Sequence, residues 1–337
     1  MLLKRGPQSK RLFTSSVEQI DHAYSIRKLL SLNNNDQGAS NNAVVLDDPM
    51  EITKYTKDWT QSYQGGSFVC RPQSVFDVSH ILAYCNNFNL GVVPQGGNTG
   101  LVGGAVGTGT GKEVIISMER MNKIINIDVD ARVLYCEAGC ILQDLINAAE
   151  EKGLAVPLDL GAKGSCMIGG NVSTNAGGLR VVRYGSMHAN VLGLEVVLAD
   201  GTIVDMLRGL RKDNFGYHSH HLFIGSEGTL GVITKVAIQL FPSPSHMNVI
   251  ICKVILLINY YYVVVLRIGI FIINIDYFYF YYIQLSSYKK LPILLRNIQS
   301  QFSEVVSAFE FFDSASLKAI SESSPNLLDR YVLYFIM

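Results

Sequence analysis

Charge is scarce in this chain, and what there is cancels. Asp, Glu, Lys and Arg make up 17% of 337 residues, against about 25% in an average soluble domain. Lys plus Arg number 28, as do Asp plus Glu, so the formal net charge is zero. A chain without a cationic field carries no electrostatic footprint for nucleic acid. The two commonest nucleotide motifs are also missing. No G-x-G-x-x-G stands between a strand and a helix, and Gly111-Lys112 is followed by Glu113 where a P-loop needs Ser or Thr. Cysteine is sparse and scattered. Of six, only Cys136 and Cys140 lie close, at a spacing that fits no common zinc or redox motif. Such a set reads as reduced, buried thiols in an intracellular compartment. No internal repeat is visible.

The length allows two domains and a sizeable core. Residues 1–17 hold Lys4, Arg5, Lys10 and Arg11 with Ser9, Thr14, Ser15 and Ser16, and no acid precedes Glu18. That composition predicts a mitochondrial transit peptide and a matrix location. Residues 18–61 read as an N-terminal segment in which Asn33-Asn34-Asn35-Asp36-Gln37-Gly38 is a loop, with ordered structure expected from about Ser67. Phe68 to Arg71 reads as a strand stopped by Pro72. Ser74 caps a helix running to about Phe88, with Val75, Val78, Ile81, Leu82 and Cys85 inward. Further strands are expected at Gly91–Pro94, Val114–Met118, Val191–Leu198 and Gly231–Leu240, and a helix over 140–152. Strands alternating with helices and broken by glycine loops predict an α+β domain over residues 62–242.

Three glycine-rich segments carry the chemistry. The first is Pro94-Gln95-Gly96-Gly97-Asn98-Thr99-Gly100-Leu101-Val102-Gly103-Gly104. Dense glycine lets successive backbone N–H groups converge on one anion, because no Cβ blocks the approach. Val93, Leu101, Val102 and Val106 would anchor this loop to a core. The second segment runs from Pro157 to Gly178 and includes Ile168-Gly169-Gly170-Asn171-Val172-Ser173-Thr174-Asn175-Ala176-Gly177-Gly178. Its small residues suit close contact with a flat ligand. The third is Gly225-Ser226-Glu227-Gly228-Thr229-Leu230-Gly231-Val232-Ile233-Thr234.

These three segments, in this order, resemble the FAD-binding (PCMH-type) domain of the vanillyl-alcohol oxidase superfamily. Within it they are most similar to the mitochondrial D-2-hydroxy-acid dehydrogenases, the D-2-hydroxyglutarate and D-lactate branch. The resemblance covers about residues 45–250 and resumes at about 285–330. It implies two α/β subdomains holding an extended FAD, followed by the start of an α+β cap domain. By the same resemblance, the loop from Pro94 through Gly96, Gly97, Asn98, Thr99 and Gly100 to Leu101 holds the pyrophosphate. Pro157, Gly161, Gly164, Gly169, Gly170, Thr174, Asn175 and Gly178 line the flavin and ribityl. Gly228 and Ile233 sit by the nucleotide end. No histidine occupies the first loop, so the FAD is expected to be non-covalent. The implied reaction is oxidation of a D-2-hydroxy acid to the 2-keto acid, with electrons leaving to an electron-transfer flavoprotein.

Parts of the family pattern are missing. The segment Gly-x-x-Gly-Asp-Gly-Asn-x-His, whose histidine belongs to the family's divalent-metal site, has no counterpart, so no catalytic residue is assigned and the chain reads as truncated within its cap, which spans 243–337. His218, His220 and His221 stand where relatives show Asp-Leu-Lys and read as a solvated loop rather than a metal site. Phe215 replaces the usual threonine.

Residues 249–283 are a run of Ile, Val, Tyr, Phe and Asn. Lys253, Arg267 and Asp276 divide it into apolar stretches of 13 and 8 residues, both short of the roughly 20 that a helical membrane span requires. A retained intron over 254–284 fits the composition better than a membrane span. The end, Tyr331–Met337, has the same composition. The alternative to a dehydrogenase is an inactive FAD-binding fragment, membrane-associated through this run.

Overall fold

A computed structural model describes residues 21–33, 44–110, 113–244, 249–254, 280–285, 288–302, 306–310, 318–319 and 322–323. The expected transit peptide at 1–17, most of the apolar run (255–279) and the segment 324–337 lie outside the described residues.

Two sheets make the framework. The first contains β1 (Val44–Leu46), β2 (Phe68–Arg71), β3 (Gly91–Gln95) and β4 (Glu113–Ser117), in the order β1-β2-β4-β3. β4 pairs parallel with both β2 and β3, and β1 is antiparallel to β2. The two-residue period of a strand puts alternate side chains on opposite faces. Phe68, Cys70, Val114 and Ile116 therefore enter the main core. Val69 and Ile115 point the other way, under α2 (Pro49–Thr56), where they meet Tyr55. Ordered structure thus begins earlier than Ser67. Helix α1 (His22–Asn33) buries Ala23, Ile26 and Leu30 in the main core, and β1 extends the sheet.

Helix α3 (Val75–Asn87) begins as its sequence dictates. Ser74 Oγ accepts from Asp77 N at 3.2 Å, and Asp77 Oδ2 accepts from Ser74 N at 3.1 Å, a reciprocal capping box. Val78, Ile81, Leu82 and Cys85 are buried.

The second sheet is antiparallel throughout. It contains β5 (Ile124–Asp128), β6 (Val133–Glu137), β8 (Val191–Val197), β9 (Ile203–Met206) and β10 (Val232–Gln239), in the order β5-β6-β10-β8-β9. Two-residue strands β7 (Leu154–Ala155) and β11 (Phe241–Pro242) pair beside it. Helix α4 (Leu142–Glu150) buries Leu142, Leu145 and Ala149. Three short helices, α5 (Ile168–Ser173), α6 (Val181–Tyr184) and α7 (Met187–Asn190), connect the sheet strands near the second glycine segment. Inside this sheet, buried Glu195 accepts from Thr234 Oγ1 at 2.7 Å and pairs with Lys235 Nζ at 2.9 Å.

One hydrophobic core runs through both lobes, from Phe68 and Ile116 to Leu194 and Ile238. The lobes are also bridged directly, since Ser79 Oγ on α3 donates to Gly201 O in the turn between β8 and β9 at 2.5 Å. Past the second sheet, β12 (Val249–Val254) pairs in parallel with β13 (Phe280–Leu285), and α8 (Leu291–Phe302) follows. Both ends of the expected insert, Val254 and Gln284, therefore lie in a strand pair. No helix among the described residues is long and apolar enough to cross a membrane. Cys70, Cys85, Cys136, Cys140 and Cys166 are buried and unbridged. Burial pushes the thiols of Cys70 and Cys85 well up, which keeps them protonated.

Candidate functional site: a glycine-walled cleft between the lobes

The three glycine segments, distant in sequence, close on one another where the lobes meet. Gly97 is pressed against the backbone of Ser165 and Cys166, so a Cβ there would overlap the Ser165 carbonyl. A Cβ on Gly96 would stand 3.3 Å from Met167 Cβ. Gly228, at φ +78°, leaves only 3.0 Å between such an atom and Pro94 Cγ. The third segment is tied to the second by Gly225 N donating to Val172 O at 3.1 Å and Glu227 N donating to Ser173 O at 2.9 Å. Gly169 N donates to Ala138 O at 2.8 Å and seats α5 on the end of β6.

Other glycines in the same segments face open space. A Cβ on Gly100, Gly161, Gly164 or Gly170 would meet nothing within 4 Å. The glycines of these segments are therefore of two kinds, some packed against neighbouring backbone and some open to space. Among the described residues, the N–H groups of Gly97, Asn98, Thr99 and Gly100 have no acceptor within the chain. Asn98 is in the left-handed region at φ +51°, the type of backbone reversal that turns consecutive N–H groups to one side. Its Nδ2 donates to Lys57 O at 2.7 Å, while its Oδ1 is buried without a partner. Asn171 Oδ1 is likewise buried and unpartnered. Unsatisfied buried polar atoms are rare in native proteins, and a bound polar ligand is one ordinary explanation. These residues fit a long, flat, diphosphate-bearing cofactor.

Support for the loop comes from a residue the motif reading passed over. Gln95 is 2% exposed, and its Nε2 donates to Tyr55 O at 2.8 Å and Ala105 O at 2.6 Å, holding the two ends of the first loop together. Only a polar residue ending a buried strand could have signalled it. Behind the loop, Glu113 accepts from the hydroxyls of Thr108 and Thr110. Those bonds depress its carboxyl to about 2.

Two expected anchors are not anchors. Leu101 and Val102 are 62% and 76% exposed, while Val106 is buried and Val93 half-buried. The loop is fixed at its base by strand β3 and Gln95, so its apolar tip stays at the surface beside the cleft. Pro157 is buried at the start of the second segment, and Thr174 Oγ1 donates to Gly170 O at 3.0 Å at its far end. Asn175, at φ +50°, accepts from His188 N at 2.9 Å. Gly178, at φ +63°, packs on the carbonyl of Asp159. Asp159 pairs with Lys163 at 3.2 Å and Arg180 at 3.5 Å, two cations to one carboxylate at the rim. Arg180 Nη1 also donates to Ser307 Oγ at 3.0 Å, which joins the later segment to this rim. Ile233 is buried in β10 opposite Val196, so only its backbone is open to a ligand role.

The histidine segment differs from its reading as a solvated loop. His220 is 8% exposed and His221 half-buried, with only His218 on the surface. Phe215 beside it is 80% exposed and packs on nothing in the cleft.

Residues 67–207 match the family of FAD binding domains. The chain is 53% identical over 236 residues to the probable mitochondrial D-2-hydroxyglutarate dehydrogenase of Oryza sativa subsp. indica, covering 68% of this chain and 41% of that protein. It is 42% identical over 325 residues to the mitochondrial D-2-hydroxyglutarate dehydrogenase of Bos taurus, covering 95% of this chain and 54% of that one. The chain spans about half the length of the curated relatives it matches. A solved structure of alkyldihydroxyacetonephosphate synthase superposes with a TM-score of 0.57 at 19% identity, covering 67% of this chain and 41% of that one, which is agreement in fold.

Proposed function

We propose that the cleft holds FAD non-covalently, and that the chain serves the oxidation of a D-2-hydroxy acid, D-2-hydroxyglutarate or D-lactate, to its 2-keto acid in the mitochondrial matrix. The observation that carries the cofactor reading is the run of four N–H groups at Gly97–Gly100 without an acceptor among the described residues, next to glycines packed on the second segment. The substrate reading rests on the identity to dehydrogenases of that name.

In this reading the first loop binds the pyrophosphate through its N–H groups, each such charge-assisted bond being roughly twice as strong as a neutral one. Gly161, Gly164 and Gly170 leave room for the ring system, and Thr174 and Asn175 border it. The close packing of Gly96 and Gly97 on the second segment excludes water from beneath. Bound FAD would supply the two-electron acceptor that the side chains lack. Reoxidation falls to an electron-transfer flavoprotein.

The test is to load the purified chain with FAD and add each D-acid without oxygen, using the L-acid as control. Loss of the long-wavelength flavin absorbance with the D-acid alone supports a dehydrogenase. Stable flavin binding with no bleaching leaves an FAD-binding protein and rejects the catalytic reading. Acid precipitation that leaves the flavin in solution supports non-covalent attachment, and retention in the pellet rejects it.

A further inference from the structure

Three histidines outside the glycine cleft meet at one point. His218, His220 and His221 each offer a ring nitrogen, and these atoms all lie within 4.8 Å of one another. The rings approach edge-on, with centroids 4.4 Å apart for His220 and His221 and 5.5 Å for His218 and His221. The local backbone explains the arrangement. Ser219–Leu222 is a 3-10 turn, in which residues three apart eclipse. That stacks His221 over His218, and His221 N donates to His218 O at 3.0 Å. His218 and His220 line a cavity of about 250 Å³ together with Asp205, Arg208, Asp213 and Tyr217.

We propose that His218, His220 and His221 bind one divalent late transition-metal ion, zinc being the ordinary occupant, with water as the fourth ligand. Imidazole suits zinc, copper and nickel and does not suit magnesium or calcium. A tetrahedral zinc–nitrogen shell at about 2.0–2.1 Å sets the nitrogens roughly 3.4 Å apart. The observed ligand atoms lie within 4.8 Å of one another, so binding requires the rings to draw together. His220 is buried beside the start of β8, and a metal-bound imidazole ordinarily gives its other ring nitrogen to a backbone or carboxylate oxygen. His188 lies against His221 with ring centroids 4.3 Å apart, while its N–H bonds Asn175 beside the cleft. An ion here would pin the turn that leads into the third glycine segment.

The experiment uses the full chain, untagged, stripped of metal and free of FAD and substrate, so its outcome is independent of the cofactor reading. Cobalt(II) is added as the probe. One equivalent should give the intense visible bands of a four-coordinate ion, and one equivalent of zinc should abolish them. His218→Ala and His221→Ala, both on accessible positions, should each weaken binding at least tenfold with an unchanged circular dichroism spectrum. His80→Ala, outside the cluster, should bind as the parent does. Only weak six-coordinate bands, or full binding by both cluster variants, would overturn the proposal.

Discussion

Gly97 and Ser165 touch backbone to backbone, and through them two segments far apart in the chain form one wall. A Cβ on Gly97 would fall on the Ser165 carbonyl, whereas one on Gly100, three residues on, would meet nothing within 4 Å. The first loop therefore contains glycines of two kinds, one packed into the fold and one open to space.

This separates two variants. Gly97→Ala should destabilise the chain by at least about 2 kcal/mol, the ordinary range for overpacking against a rigid neighbour. Gly100→Ala should leave the apo melt within about 0.5 kcal/mol of the parent, yet weaken FAD binding at least tenfold. Thermal melts and flavin fluorescence titrations of the two proteins check this. Equal melts would show that Gly97 is free to move.

The cap of α3 gives a prediction independent of function. Ser74→Ala removes one half of the capping box and should cost about 1 kcal/mol in urea unfolding. A matching loss should follow from Asp77→Ala, and the double variant should lose less than the sum, since the two bonds share one structure.

Glu113 sets an acid limit. Its carboxyl falls from an ordinary 4.5 to about 2, chiefly through the Thr108 and Thr110 hydroxyls. A depressed folded-state value adds stability above the unfolded value, and that stability is lost as pH falls from about 4.5 towards 2. Glu113→Gln should flatten that part of the stability curve and lower stability at neutral pH. Denaturant midpoints measured across this range would show the difference, and superimposable curves would rule out the contribution.

Lys235 neutralises buried Glu195 inside the second sheet. Lys235→Met should cost about 1–3 kcal/mol, because the carboxylate stays buried with only Thr234 to serve it. Lys235→Met combined with Glu195→Gln should recover part of that loss.

The local devices were legible from sequence alone. Ser74 with Asp77, Pro72 after β2, and the apolar spacing of Val78, Ile81, Leu82 and Cys85 each act within a few residues, so their signals lie side by side. The edge strand β5 was not legible. Ile124 and Ile125 are exposed, and no alternation marks a strand defined only by its pairing with β6. Leu101 and Val102 misled for the opposite reason, since apolar character alone does not tell a core anchor from an exposed loop tip. The motifs marked the three glycine segments, yet the contacts that join them, Gly97 to Ser165 and Gly228 to Pro94, belong to the folded topology. The three histidines look like a polar loop as text because their convergence depends on a 3-10 turn.

The bond from Ser79 to Gly201 has a further consequence. The lobes are latched there and again at the glycine contacts, and one core runs through both. A cleft fastened in two places is a slot and not a jaw. A ligand beside Gly100, Gly161, Gly164 and Gly170 would border open space, so its exchange needs no parting of the lobes, and flavin should come and go well below the melting temperature of the chain.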